Sequence, residues 1–193
     1  TVGQTNVPAN LSNVVAGAAG ASHCLALCGD GTVAAWGLNT SGQSTVPGTL
    51  TNVVAISAGS NHSIALRADG RVFAWGNNAY GQTAVPSNLA EVVAIAAGAT
   101  HNLALRRDGT VVAWGASTCG QTDVPAGLSD VIAIAAGGFH SLALKNDGTL
   151  VAWGAGTNSL PASYPQLGQS FIPPTVTNIA AVAGGDAHTL ALA

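Results

Sequence analysis

Five histidines are the residues of this chain best suited to metal binding or acid–base chemistry, and they recur at steps of 39, 39, 39 and 48 residues. They are His23, His62, His101, His140 and His188. A metal site needs several ligand atoms about 2 Å from one ion, and no second histidine or carboxylate lies beside any of them in the sequence. We therefore expect no metal and no cofactor. We expect each imidazole to hydrogen-bond to backbone at the start of a strand.

The acidic residues do not form a recognisable catalytic group. Four precede a glycine at equivalent positions (Asp30, Asp69, Asp108 and Asp147), and the others are Glu91, Asp123, Asp130 and Asp186. Neither paired carboxylates nor a Ser-His-Asp order stands out from the repeats. The sequence therefore predicts a protein that is not an enzyme. The three cysteines are expected to be small apolar fillers: Cys24, Cys28 and Cys119.

Tryptophan and glutamine repeat with the same period as histidine. The tryptophans are Trp36, Trp75, Trp114 and Trp153, and the glutamines of the Gly-Gln pairs are Gln4, Gln43, Gln82, Gln121 and Gln169. One insertion of nine residues, between Gly154 and Gly168, accounts for the single longer step. We expect the indoles to pack between repeats with their N–H groups bonded locally. We expect the glutamine amides to bond loop backbone groups.

Each repeat is predicted to contain four short strands. In one copy these are 92–97, 101–106, 110–114 and 121–124, rich in Val, Ile, Leu, Thr and Trp and bounded by Gly, Asp or Pro. An Asp-Gly pair joins the second strand to the third and favours a tight turn in which both central residues have positive φ. Four antiparallel strands at a period near 40 predict an all-β fold, a β-propeller of four-stranded blades. A parallel β-solenoid is the rival architecture, and it has no need of antiparallel hairpins.

The chain is predicted to be a single propeller domain over residues 1–193. Its copies are 1–12 (partial), 13–51, 52–90, 91–129, 130–177 and 178–193 (partial). This division gives five copies of the first, second and fourth strands but four of the third. An open arc of blades would expose large apolar faces, which soluble monomers avoid. We therefore expect about five repeats that belong to a larger propeller of seven blades, or an open array that other chains complete.

Composition excludes several classes of function. Only 7% of the residues are charged, and the net charge is −3 with five basic residues. Nucleic-acid binding needs clustered Lys and Arg, so we expect no nucleic-acid partner. No apolar run reaches the roughly 18 residues of a membrane span, so we expect no membrane insertion. The sequence shows no signal peptide and does not begin with methionine, and we expect it to be processed or excised from a longer chain.

Strand direction sorts the loops into two faces. The basic residues all lie beside the Asp-Gly turns at one end, whereas the other end is almost uncharged and rich in Ser, Thr and Asn. Tyr with Ser and Asn is typical of adaptable binding surfaces. A loop as long as the insertion, residues 156–167, is usually functional or disordered. The candidate binding residues on this low-charge face are Asn39, Asn61, Asn78, Tyr80, Phe139, Leu160 and Tyr164.

The repeat resembles that of the regulator of chromosome condensation family. The pattern G-x-x-H-x-L-A-L occurs as GASHCLAL (20–27), GSNHSIAL (59–66), GATHNLAL (98–105), GGFHSLAL (137–144) and GDAHTLAL (185–192). It is followed by DGTVAAWG, DGRVFAWG, DGTVVAWG or DGTLVAWG and then by Gly-Gln. The short period and the Val-Pro after Gly-Gln look most like the bacterial branch, which includes a propeller-type β-lactamase inhibitor protein. The resemblance implies a propeller, typically seven-bladed, that acts by binding other proteins.

These observations favour a non-catalytic scaffold that binds a protein partner through its low-charge face. A glycan-binding, lectin-like module is an alternative, because repeated aromatic and amide groups can hold sugars at equivalent sites. A purely structural repeat array within a larger surface protein is the third hypothesis. The expected location is extracellular or in the cell envelope of a bacterium.

Overall fold

The computed structural model describes residues 2–156, 167–174 and 176–193, and these residues form five antiparallel sheets in sequence order. Sheets 1 to 4 have three strands each, sheet 5 has two, and the described residues contain no helix. The strands are β1 Val14–Ala19, β2 His23–Cys28, β3 Val33–Gly37, β4 Val53–Ala58, β5 His62–Arg67, β6 Val72–Gly76, β7 Val92–Ala97, β8 His101–Arg106, β9 Val111–Gly115, β10 Val131–Ala136, β11 His140–Lys145, β12 Leu150–Gly154, β13 Ala181–Gly184 and β14 Thr189–Leu192. The predicted all-β fold is therefore confirmed.

The predicted fourth strand of each blade is wrong. In the third repeat, residues 121–124 form successive turns instead: the Asp123 N–H donates to the Gly120 carbonyl at 3.0 Å, and the Val124 N–H donates to the Thr122 carbonyl at 3.0 Å. Two of the N–H groups thus bond locally and Pro125 has none to offer, and the segment forms no ladder with β9. The described sheets therefore have three strands at most.

The Asp-Gly hairpins also differ from the predicted turn. Gly31 has φ +80°, but Asp30 is not among the residues with positive φ. The Cys28 N–H donates to the Thr32 carbonyl and the Gly31 N–H to the Cys28 carbonyl, both at 2.9 Å, which makes a three-residue loop. The Asp30 carboxylate accepts hydrogen bonds from the hydroxyl and N–H of Thr32, and these bonds lower the pKa of Asp30.

A left-handed residue precedes the first strand of every sheet. Asn13, Asn52, Glu91, Asp130 and Asn178 have φ between 52° and 59°. In sheets 1 to 4 the carbonyl of this residue accepts the N–H that follows the second strand, as from Arg107 to Glu91 at 2.9 Å. A bulge follows at once, because Val92 pairs with Arg106 and Ala94 with Leu105, which leaves Val93 as the extra residue.

Successive sheets pack face to face, and the core lies between them. We call front face the side of a sheet that packs on the following sheet, and back face the opposite side. Between sheets 3 and 4, Leu103 and Leu105 on the front face pack against Ala143 and Trp153 on the back face of the next sheet. Successive residues of a strand point to opposite faces, so the second strand buries both of its sides. Burial of one leucine contributes about 1.5–3 kcal/mol.

The two ends of the array are uncovered. Among the described strands, each sheet packs on its neighbours in sequence, and no close packing joins sheet 5 to sheet 1. On the front face of sheet 5, Leu190 and Leu192 are 60% and 64% exposed, whereas the equivalent Leu103 and Leu105 are 0% and 3% exposed. The five sheets form an open arc, and completion by further blades or by other chains stays a prediction.

Candidate functional site

The repeated histidines join neighbouring sheets. The His62 Nε2 lies 2.8 Å from the Asn102 Oδ1 of the next sheet. His23, His101 and His140 bond in the same way, at 3.0, 3.0 and 3.1 Å, to Ser63, Ser141 and Thr189. The backbone partner expected from the sequence is therefore wrong, because the partner is the side chain that follows the next histidine.

The same acceptor side chain continues the network to a backbone carbonyl. The Asn102 Nδ2 donates to the Gln82 carbonyl at 2.8 Å, and the Trp114 Nε1 donates to the same oxygen at 3.1 Å. Ser63 likewise donates its hydroxyl to the Gln43 carbonyl at 2.9 Å, so its oxygen must accept the proton of the His23 Nε2. Each of these imidazoles therefore carries a proton on Nε2.

Burial keeps these histidines neutral. It lowers the pKa of His101 to about 3, and repulsion from His62 and His140 acts in the same direction. Burial also lowers the pKa of His23, His62 and His140. The Nδ1 atoms of these four rings are buried and have no hydrogen-bond partner. A protonated ring would add a donor on Nδ1 that has no acceptor, so the site disfavours the charged form.

This arrangement is poorly suited to catalysis or metal binding. Each buried ring commits Nε2 to the next sheet, and the described residues contain no group of three or more His, Cys, Asp or Glu that could hold a metal ion. A general base must reach a proton on its substrate, and these imidazoles are completely or almost completely buried. The histidine and tryptophan network thus holds sheets together.

A second network shapes the loops of the low-charge face. In the loop after β6, the Tyr80 N–H donates to the buried Gln82 Oε1 at 2.8 Å. We call this the tip position, two residues before the glutamine of each Gly-Gln pair. Its occupants are Val2, Ser41, Tyr80, Cys119 and Leu167, and every one donates its N–H to the glutamine at 2.8–3.1 Å. The same bond therefore holds the backbone at all five tip positions, while the tip side chain varies.

The tip side chains differ in exposure as well as in type. Leu167, Tyr80 and Val2 are 71%, 57% and 45% exposed, and Cys119 is 1% exposed. The first-to-second strand turns lie at the same end of the sheets, because the Ala155 N–H donates to the Phe139 carbonyl at 2.8 Å. The low-charge face thus presents scattered apolar side chains on loops whose backbone is held by the glutamine side chains.

The predicted site residues fall into three groups. Tyr80 and Asn61 are exposed on this face and Phe139 is half-buried there. Asn39 and Asn78 are exposed, but they use their side chains within their loops: Asn39 bonds Ser44 and Thr45, and Asn78 accepts the Thr83 N–H at 2.9 Å. Leu160 and Tyr164 lie outside the described residues.

Two exposed tip residues were missed by sequence reasoning. Val2 and Leu167 occupy the same position as Tyr80, although neither is aromatic and Leu167 is the last residue of the insertion. The signal that could have found them is the Gly-Gln pair that follows each of them directly, at Gln4 and Gln169. Counting back from that pair aligns all five tips despite the different loop lengths.

The opposite face carries most of the charge, largely in local pairs. Arg67 lies 3.1 Å from Asp69, and Lys145 lies 3.6 Å from Asp147. Arg106 donates to the Asn88 carbonyl at 3.3 Å. Such exposed pairs contribute about 0–1 kcal/mol each. Among the described residues, no helix has the length and apolar character needed to span a membrane.

The model of the regulator of chromosome condensation (RCC1) repeat matches residues 14–43, 53–82, 92–121 and 131–159, which is more than half of the chain. The chain belongs to the RCC1 repeat family. Each match starts at the first strand of a sheet and, in the first three, ends at the buried glutamine. A sequence search of curated proteins finds no significant match.

Solved structures similar to this chain share its fold at low identity. Prp20p from Saccharomyces cerevisiae aligns with a TM-score of 0.77 and 23% identity over 95% of this chain and 57% of that chain. The ectodomain of the receptor kinase CR4 from Physcomitrella patens gives 0.67 and 24% over 90% and 45%. Human WBSCR16 gives 0.64 and 23% over 96% and 55%. This RCC1-repeat chain therefore spans about half the length of the structures that it matches.

Proposed function

We propose that this chain is a non-catalytic binding module that holds another protein on its low-charge loop face. The observation that carries this proposal is the tip position, where a buried glutamine fixes the backbone and the side chain is free to vary. A loop whose backbone is already fixed loses little conformational freedom when a partner binds. Tyr80 and Leu167 supply apolar contact area without a charge that must be desolvated, and Phe139 and Asn61 extend the same surface.

Protein binding has a precedent in the same architecture. The structure of Prp20p was described together with its binding properties to Gsp1p and histones. At 23% identity that comparison carries the fold alone, so the binding of Gsp1p and histones is a property of Prp20p and identifies no partner for this chain. Mixed loops on a rigid scaffold are also where binding residues concentrate in other folds.

The varied tips favour a protein partner over a glycan. A lectin-like module with equivalent sites would repeat one aromatic residue at one position. Here the tips are Val, Ser, Tyr, Cys and Leu in turn. One continuous surface of unlike side chains fits a partner that is itself irregular, as a protein surface is.

The test is site-specific photocrosslinking. The photoreactive residue benzoylphenylalanine replaces Tyr80 on the proposed face, Leu167 at a second tip, or Arg71, whose side chain is 77% exposed beside an Asp-Gly turn. Each protein is irradiated in an extract of the source cells, and adducts are identified by mass spectrometry. We expect the same protein to be captured from positions 80 and 167 and not from position 71.

The captured protein is then purified and its affinity is measured. A buried aromatic at an interface commonly contributes about 2 kcal/mol or more, so Tyr80→Ala should weaken binding at least tenfold while Arg71→Ala leaves it unchanged. Equal loss from both variants would contradict the assignment of the face. If the wild-type chain binds to a glycan array and Tyr80→Ala abolishes that binding, the ligand of this face is a glycan and not a protein.

A further inference from the structure

The loop after β12 carries two large apolar side chains that the described part of the chain leaves uncovered. Leu167 at the tip position is 71% exposed, and Phe171 is 68% exposed. Phe171 lies two residues after the glutamine of its Gly-Gln pair, and we call this the flank position. Single exposed apolar residues are common on protein surfaces, whereas neighbouring ones mark binding sites. Of the five Gly-Gln loops, this one alone has large apolar residues at both the tip and the flank.

The flank side chain lies on the low-charge face, as the other loops show. The Asn39 Nδ2 donates to the Thr45 Oγ1 at 2.9 Å, and the Ser117 hydroxyl donates to Asp123 at 2.9 Å, so the flank side chain reaches back over the first residues of its loop. Phenylalanine has no polar atom for such a bond, and the ring of Phe171 is therefore presented to solvent. The flank residues in chain order are Asn6, Thr45, Ala84, Asp123 and Phe171.

The flank position remains open when the sheet that follows the loop is complete. Thr45, Ala84 and Asp123 are all exposed, although sheets 2, 3 and 4, which follow their loops, each have three strands. Tyr80 at the tip position is likewise 57% exposed beside the complete sheet 3. The exposure of Phe171 is therefore a property of its position in the repeat, and it does not depend on how many repeats follow sheet 5.

The backbone beneath the two apolar side chains is bonded within the loop. The Leu167 N–H donates to the Gln169 Oε1, and the Phe171 N–H donates to the Gly168 carbonyl, both at 2.8 Å. A peptide that binds as an added strand needs free backbone groups to pair with, and these two N–H groups are already used. A partner must therefore make contact through the side chains, which protrude from a turn of fixed shape.

We infer that Leu167 and Phe171 form the anchor of the low-charge face, and that they insert into an apolar pocket on the surface of the partner protein. This inference rests on the protein-binding function proposed above, and it adds the chemistry of the partner. The two side chains protrude, so the partner supplies the concave side. Residues 167–174 carry no charge, so the pocket needs none and ion pairs have no part in the contact.

A lipid surface suits this pair less well than a protein pocket. Segments that bind membrane surfaces combine a large apolar area with Lys and Arg that attract anionic lipids. All five basic residues of this chain lie beside the Asp-Gly turns at the opposite face. Two neighbouring side chains on a fixed turn match the size of a pocket on a protein, where a few inserted residues supply most of the affinity.

The test measures the affinity for the protein that benzoylphenylalanine at position 80 captures, after that protein has been purified. Phe171→Ala should weaken binding at least about thirtyfold, because truncation of an inserted aromatic residue is among the most costly changes at an interface. Phe171→Leu, which keeps an apolar side chain, should weaken it less than about tenfold. Asp123→Asn is the matched control at an exposed flank position, and it should leave the affinity unchanged.

Two further measurements separate an inserted anchor from a structural role. The urea midpoint of Phe171→Ala should equal that of the wild type, because the ring is exposed in the free chain. The wild-type affinity should change by less than about twofold between low and high salt, because screening acts on charged contacts and this contact has none. In the double variant of Leu167→Ala and Phe171→Ala, the loss should differ from the product of the single losses, because residues in one pocket are coupled.

The outcomes distinguish this inference from the proposed function. If Tyr80→Ala weakens binding and Phe171→Ala does not, the face binds a protein but the anchor is wrong. If Phe171→Ala weakens binding and Tyr80→Ala does not, the anchor stands and the wider face is wrong. Capture of no protein from position 80 would contradict both. A strong salt dependence would refute the apolar pocket. Binding of the wild type to phosphatidylcholine vesicles, lost in Phe171→Ala, would show that the anchor inserts into lipid and not into a protein.

Discussion

Acidification should loosen the contacts between sheets, because it protonates imidazoles that the fold holds neutral. In the folded chain the pKa of His101 is about 3, against an ordinary value of 6.5. Between these two pH values the unfolded chain binds a proton that the folded chain does not. The contribution of this group to stability is therefore complete above pH 6.5 and declines as the pH falls towards 3.

The size of the effect follows from the two pKa values. pH 5 is about 1.5 units below the ordinary pKa of histidine. Protonation of His101 at this pH therefore stabilises the unfolded chain by about 2 kcal/mol, and it leaves the folded chain almost unaffected. His23, His62 and His140 have pKa values lowered by the same burial, so their contributions have the same sign. A domain of this size is typically stable by about 5–15 kcal/mol, so the loss should be large enough to measure.

The assay is urea unfolding at pH 7.5 and pH 5.0, followed by tryptophan fluorescence. The matched variant is His101→Gln, whose amide can donate to Ser141 but does not titrate. We expect the loss of unfolding free energy between the two pH values to be about 2 kcal/mol smaller in His101→Gln than in the wild type. Asn61→Gln is the control, because Asn61 is exposed and does not titrate, and its loss should equal that of the wild type. Equal losses in His101→Gln and the wild type would refute the reasoning.

Two further substitutions test the close approach of sheets and the left-handed residues. Gly98→Ala should destabilise the chain by at least about 3 kcal/mol in urea unfolding, because its Cβ would meet the His101 ring and lie 2.5 Å from the Gly137 carbonyl oxygen. Gly48→Ala, with no atom within 4 Å and no positive φ, should change stability by less than about 1 kcal/mol, and equal effects would contradict this account. Glu91→Asn should raise the unfolding free energy by about 0.5 kcal/mol, because φ is 55° there and Asn tolerates that region better than Glu. A loss of stability in Glu91→Asn would show that the Glu91 side chain has another role.

The three strands of each sheet were predictable because their signals are local. Apolar runs between Gly, Asp and Pro gave β7 and β8 with the observed bounds, and β9 is displaced by one residue. The fourth strand failed because a short Gln-x-x-Val segment looks like a strand until its backbone bonds are followed. Those bonds close turns within four residues, and a composition pattern does not record them.

The hydrogen-bond partners of the histidines could have been predicted from the sequence, but the prediction named backbone groups instead. Each histidine that bonds the next sheet reaches a residue 40 or 49 positions later, and that residue always directly follows the next histidine. Ser63, Asn102, Ser141 and Thr189 are polar in otherwise apolar strands, which was the available signal. The tip position was only partly predictable. Tyr80 stood out as an aromatic residue. Val2 and Leu167 can be found by counting back from the Gly-Gln pair, but only the shared bond to glutamine shows why that count matters.

Each buried histidine bonds a residue about one repeat later in the chain, and this spacing determines how such an array can change its length in evolution. Each of the four buried histidines finds its acceptor in the next repeat, so duplication or loss of one whole repeat keeps each buried imidazole matched to an acceptor. Stability in such arrays is close to a sum of repeat and nearest-neighbour contributions. Recombination between the similar repeats can therefore lengthen or shorten the array without requiring a new kind of contact between sheets. Substitution at the tip position can then change the side chain that each added sheet exposes on the low-charge face.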